Sequence, residues 1–121
     1  MNRDFIATKV LMKLSNNRLV RFKDIVEVAT HPKRLQVWLE NDIFYRLVFS
    51  IKNDGTVVLD NIELHESKRG MNLSIDTIQI FEYMAKLFSP DHWLRVRRPY
   101  NREFWKHYIE KYNSNIIKIW R

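Results

Sequence analysis

Only two glycines, Gly55 and Gly70, and three prolines, Pro32, Pro90 and Pro99, punctuate a chain of 121 residues. Reversals that need positive φ or a broken helix therefore have few places to occur, and the stretches between them must be regular elements. Residues 4–14 put Ile6, Val10, Leu11 and Leu14 on one helical face, and Asn16-Asn17 stops that helix. A strand is expected over 19–29, where Val20, Phe22, Val26 and Val28 share one parity, and a second after His31-Pro32, where Leu35, Val37 and Leu39 alternate. Residues 43–51 are apolar on both parities except for Arg46 and Ser50, which is the pattern of a strand covered on both faces. Asn53-Asp54-Gly55 supplies hairpin-turn chemistry, and the partner strand begins at Thr56. In that partner Val57 and Leu59 hold one parity while Ile62 and Leu64 hold the other, so the alternation slips near Asp60-Asn61, as a β-bulge would make it.

A helical stripe of Ile78, Phe81, Met84, Ala85 and Phe88 ends before Pro90, and residues 93–98 read as a short strand with Leu94 and Val96 inward and Arg95 and Arg97 outward. Beyond Pro99, Asn101 is a good N-cap for a helix whose stripe is Phe104, Trp105, Tyr108, Ile109 and Tyr112; Tyr100 and Trp105 form a candidate staple around it. A last strand covers 116–120. The order α-β-β-β-β-α-β-α-β predicts an α+β fold, a single mixed and mostly antiparallel sheet flanked by helices, in one domain over 1–121.

Composition narrows the chemistry. Apolar residues make up 45% and charged residues 29%, a balance that supports a packed core and not a disordered chain. Zero cysteines remove disulfides, thiolate metal sites and cysteine nucleophiles together, and point to a reducing cytoplasm. His31, His65, His92 and His107 fall at no metal-ligand spacing, so no metal site is expected. No apolar run reaches the length of a membrane span and no signal-peptide pattern follows Met1-Asn2-Arg3-Asp4, so neither secretion nor membrane insertion is expected. The net charge is +7, concentrated at the end of the chain, where residues 92–121 carry eight basic residues against Glu103 and Glu110. Arg95, Arg97, Arg98 and Arg102 in that segment are candidates for binding an anionic partner, either nucleic acid or an acidic protein.

Gly70 lies where a strand hands over to a helix. Successive backbone N–H groups at a helix N-terminus form an anion site, and Arg69 beside them adds charge-assisted bonds. A plain turn with positive φ, followed by an ordinary cap at Asn72 or Ser74, is the alternative use of the same residues.

The order of elements, together with Arg69-Gly70-Met71-Asn72-Leu73-Ser74, resembles the GNAT superfamily of acyl-CoA-dependent N-acyltransferases. Its signature Q/R-x-x-G-x-G/A between the fourth strand and the following helix holds the pyrophosphate of acetyl-CoA. Arg69 matches it, and Asn72 and Ser74 stand at the two small positions. Asn101 and His107-Tyr108 resemble a second family element, in which the tyrosine protonates the departing CoA thiolate; Tyr112 and Asn113 replace the glycine and aromatic that usually end it. The resemblance implies acetyl-CoA as acyl donor and an amine as acceptor. It also implies a cofactor loop of Arg69, Gly70, Met71, Asn72, Leu73 and Ser74 with Asn101, and Tyr108 as general acid. Glu63 and His65 alternate on the fourth strand and are the candidate bases. A buried aromatic stripe is the alternative place for Tyr108, and a solvent-facing strand surface the alternative for Glu63 and His65.

Two other functions fit the same residues. One is a catalytically degenerate GNAT-like or other small basic α+β protein acting as a regulator or inhibitor on a protein partner. The other is a nucleic-acid binder built on Trp93 to Arg102, where aromatic and basic residues interleave.

Overall fold

The computed structural model describes residues 2–97, 102–112 and 117–120, the last as backbone alone. The elements follow the expected order: α1 (Arg3–Asn16), β1 (Ile25–Thr30), β2 (Arg34–Leu39), β3 (Phe44–Lys52), β4 (Val57–Leu64), α2 (Leu73–Phe88), β5 (Leu94–Arg97), α3 (Arg102–Lys111) and β6 (Ile117–Trp120). The fold is α+β with one mixed sheet. The strands lie in sequence order: β1 to β4 form an antiparallel meander, while β5 joins β4 and β6 joins β5 in parallel. Helical crossovers α2 and α3 make the two parallel joins, as parallel neighbours require.

Leu35, Val37 and Leu39 of β2, Leu47, Phe49 and Ile51 of β3, Val57 and Leu59 of β4, and Leu94 and Val96 of β5 belong to one buried cluster. Ile6, Val10 and Leu14 of α1, Ile78, Phe81 and Ala85 of α2, and Trp105 and Tyr108 of α3 complete it. All three helices therefore cover the same face. The opposite parity forms a second face whose centre, Val48, Ser50 and Val58, is also buried. Arg34, Gln36, Trp38, Arg46, Arg95 and Arg97 stand around that centre at half-buried positions. Arg46 extends its guanidinium over the ring of Trp38 at 5.6 Å. Long cationic stems shield the second face where a helix layer is lacking.

The strand expected over 19–29 begins late. Phe22–Asp24 instead form a short 3-10 turn tied by the Asp24 carboxylate, which accepts from the Arg21 amide at 2.7 Å. Val26 and Val28, which share one parity, are 55% and 51% exposed. The reason is position: β1 is the sheet's edge, and a register shift between Ile25 and Glu27 breaks its alternation. The slip anticipated in β4 is real. Val48 opposes Asn61 and Phe49 opposes Leu59, so Asp60 is the extra residue.

The two glycines do different work. Gly55 closes the β3–β4 hairpin at φ 94°, and a Cβ there would lie 3.0 Å from the Phe88 carbonyl oxygen and 3.4 Å from Ile6 Cδ1. The hairpin tip is thus docked under both α1 and the end of α2. Gly70 also needs positive φ, 82°, but a Cβ there would enter open space. In the same hairpin, hydrogen bonds from Thr56 and the charge of Lys52 outweigh desolvation and hold the Asp54 carboxyl below its ordinary range. That small contribution to stability is present above the unfolded value and is lost as pH falls through the lower folded one. Gly55→Ala is expected to cost roughly 2–4 kcal/mol, backbone strain plus clash, against about 1 kcal/mol of strain for Gly70→Ala. Urea unfolding midpoints of the two variants check this, and equal losses would contradict the docked hairpin.

Candidate functional site

Residues Val58 and Leu59 of β4 pair with Arg95 and Val96 of β5, and those are the paired positions of the two strands among the described residues. Directly after Leu59 comes the bulge at Asp60. On the β5 side, the second half of β4, Asp60 to Leu64, has no strand beside it among the described residues and lines a cleft of about 580 Å³. Leu59, Ile62, Val96, Phe104 and Trp105 give this cleft its apolar wall, and Asp60, Glu63, Arg69 and Arg97 its charges. Gly70 and Ser74 also line it, which places the strand-to-helix loop and the second half of β4 on one cavity.

Beyond β4, Glu66–Lys68 form a 3-10 turn, and Gly70 and Asn72 follow with φ of 82° and 61°. Asparagine tolerates the left-handed conformation, which explains its presence at the N-cap of α2. Its side chain makes no capping bond. The amides of Leu73, Ser74 and Ile75 open the helix and have no intrahelical acceptor, and the first turn carries the positive end of the α2 dipole. Gly70, Met71 and Asn72 are exposed, and Arg69 is exposed beside them. Arg69, Gly70 and Ser74 of this junction line the cleft, and the Asn72 side chain makes no capping bond to the donors of the first turn.

The two candidate bases part company. Glu63 opposes Arg46 in the β3–β4 ladder, is exposed and lines the cleft. His65 lies past the end of β4, where its Nε2 bonds the Asn41 carbonyl at 2.7 Å and its ring meets Tyr45 edge-on. His65 is therefore a brace for the β2–β3 turn and does not line the cleft.

The carboxylate that sequence reading passed over is Asp60. Its side chain is only 8% exposed. Oδ2 accepts from the Ser50 hydroxyl and, at 3.2 Å, from Gln36 Nε2, while Trp38 Nε1 donates to Gln36 Oε1 at 2.9 Å and fixes that amide's orientation. Oδ1 is buried without a hydrogen-bond partner among the described residues. The nearest guanidinium nitrogen of Arg97 is 3.9 Å away, within ion-pair reach and beyond hydrogen-bond length. The signals were in the sequence: a parity slip at Asp60, a lone Ser50 in an apolar strand, and Gln36 between Leu35 and Val37.

Tyr108 is 2% exposed and belongs to the aromatic stripe of α3, meeting Trp105 edge-on and Tyr112 at a tilt. Its hydroxyl donates to Glu82 of α2 at 2.5 Å, so it ties two helices together and is absent from the cleft lining. Phe104 and Trp105 are the α3 residues that reach the cleft. Of the expected basic residues, Arg95 is paired with Asp91 at 2.6 Å, Arg97 stands at the cleft and Arg102 is exposed. Arg98 and Asn101 lie outside the described residues, and among those described no cluster of His, Asp or Glu is arranged to hold a metal.

Desolvation, the bond to Glu82 and the charges of Glu82 and Tyr112 push the Tyr108 hydroxyl far above its ordinary value of about 10. The raised value means that this tyrosine's contribution to stability is intact below about pH 10 and is lost as pH rises through the folded value. In an ultraviolet titration Tyr108 is expected to stay unionised after the exposed tyrosines have titrated, until the fold opens. A Tyr108→Phe protein that shows the same late-titrating absorbance would refute this assignment. Compared with known protein families, curated proteins and solved structures, the chain matches none of them.

Proposed function

We propose that this chain binds an acyl-CoA in the β4–β5 cleft and transfers the acyl group to an amine. One observation carries the reading: the half of β4 after its bulge, which has no partner on its β5 side among the described residues, and the N-terminus of α2, without a side-chain cap from Asn72, open onto the same cavity. An extended pantetheine arm carries amide donors and acceptors suited to an unpaired strand edge, and its diphosphate suits helix N–H groups with an arginine beside them. Open space at Gly70 and the unbonded side chain of Asn72 are compatible with a close approach of phosphate.

The acyl-CoA supplies an activated thioester carbonyl. Loop amides of Leu73, Ser74 and Ile75, with Arg69, hold the anionic end; Val96, Phe104 and Trp105 exclude water from the inner wall. The amine is brought to the β4 edge as an ammonium, and Asp60 or Glu63 takes one proton from it. Over the whole reaction the amine nitrogen gains the C–N bond, the C–S bond breaks, and the nitrogen's second proton ends on the thiol. Alignment of two substrates in one cleft supplies most of the rate. Tyr108 has no part in this scheme, since its proton is committed to Glu82.

That commitment favours one further reading, a protein that holds acyl-CoA without transferring the acyl group and acts as a regulator. Calorimetric titration of acetyl-CoA tests the ligand, and release of free thiol in the presence of amines tests the transfer. Ser74→Glu places a carboxylate at the second position of α2, where the helix dipole favours it and a diphosphate does not tolerate it. This variant is expected to fold as well as the parent and to lose acetyl-CoA binding at least tenfold; undiminished binding would contradict the loop's role.

A further inference from the structure

α1 is apolar on two sides. Ile6, Val10 and Leu14 form its buried stripe, yet Phe5 and Met12, which lie off that stripe, are 48% and 42% exposed. On the neighbouring α2, Tyr83 and Leu87 are 49% and 54% exposed. Phe5 at the start of α1 meets Phe88 at the end of α2, and the Lys13 ammonium lies over the Tyr83 ring at 5.1 Å. The two helices therefore run side by side in opposite directions, and their outer residues form one surface. A groove of about 600 Å³, with Lys13, Leu73, Ile80 and Tyr83 in its wall, continues that surface toward the start of α2. Single exposed apolar side chains are ordinary, whereas four gathered on one helix pair mark a docking face.

Charge decides what docks there. Lys9 holds its ammonium over the Phe5 ring at 5.3 Å, and with Lys13 it borders the apolar side chains. Arg18 in the groove wall and Lys86 in the last turn of α2 add two more cations. Among the described residues none of these four has a carboxylate within ion-pair reach. Against them the two helices carry Asp4 in the first turn of α1, Asp76 in the groove wall, and Glu82, which is turned to Tyr108. A second copy of this chain, with a net charge of +7, would bring like charges together. A bilayer would need the rings themselves to enter its apolar layer, and here ammonium groups cap them. A carboxylate can approach such an ammonium from outside and leave the ring contact intact.

We propose that the outer face of α1 and α2 docks an acidic amphipathic helix of a partner protein. Its apolar residues rest on Phe5, Met12, Tyr83 and Leu87, and its carboxylates meet Lys9, Lys13 and Lys86. α1 has 14 residues and α2 has 16, about 21 to 24 Å, which is room for roughly four turns of a partner helix anchored at helical spacing. None of these residues lines the β4–β5 cleft, so the proposal stands apart from the acyl-transfer reading.

The test selects displayed peptides of random sequence, about 14 residues long to match α1, on the immobilised full chain. Enriched peptides are expected to carry net negative charge and apolar residues at helical spacing. The strongest of them, labelled and followed by fluorescence anisotropy, is expected to lose affinity about tenfold or more on Lys9→Glu combined with Lys13→Glu, and likewise on Met12→Ser combined with Leu87→Ser. Urea midpoints close to the parent's show that these variants fold. Lys23→Glu, the same charge change at an exposed residue outside the patch, is expected to alter affinity less than about twofold. Backbone amide shifts of the parent on adding the peptide are expected in α1 and α2. Enrichment of neutral or basic peptides, no enrichment, affinity that ignores both double variants, or amide shifts confined to α3 and the cleft would each overturn the proposal. Binding to phosphatidylserine vesicles that Lys9→Glu with Lys13→Glu abolishes, in a chain that takes no acidic peptide, would overturn it in favour of a membrane surface.

Discussion

The extra residue in β4 is the constraint around which the remaining features are arranged. Placing Asp60 where Val48 and Phe49 leave no partner for it bends the strand and ends its alternation. The same carboxylate is then secured from two other strands, by Ser50 of β3 and Gln36 of β2, so that the kink is braced across the sheet. Past the kink, β4 has only β3 beside it among the described residues, and the chain can turn through Glu66–Lys68 into α2 with the cavity between. Removing the bulge would restore a regular ladder and close the cleft.

One-sided helix packing follows from connectivity. β4, β5 and β6 advance in one direction across the sheet, so two right-handed crossovers deliver α2 and α3 to the same face. α1 is docked alongside α2, where Phe5 meets Phe88 edge to face. A chain of this size gains a deep apolar layer on that side, with Tyr108 to Glu82 as a polar rivet between helices. The other side is roofed by arginine and tryptophan side chains, which bury Val48, Ser50 and Val58 while leaving polar groups at the surface.

Most of the architecture was legible because so few residues could interrupt it. The two glycines and the prolines set the boundaries, and parity within β2 and β5 told inside from outside. Periodicity put Val26 and Val28 on a strand correctly but ran that strand back through Phe22, which lies in a 3-10 turn, and it could not tell that the shared parity is exposed on an edge strand. The candidate site was harder to see. A spacing argument lifted Glu63 and His65 together from one strand, yet His65 falls beyond the strand's end and serves a turn. Asp60 was hidden because its role depends on Gln36 and Ser50, respectively 24 and 10 residues away in sequence, and only pairing across three strands joins them. Tyr108 shows the converse: the position in its helix was right, and a partner on α2 decided what its hydroxyl does.

The irregular start of β1 matters beyond this chain's own packing. A sheet that begins with an unpaired outer strand bearing Val26 and Val28 invites neighbouring copies to add on, rung by rung. The misfit between Ile25 and Glu27 twists that rim out of line. A would-be growing ladder thus meets an interruption at its first rungs.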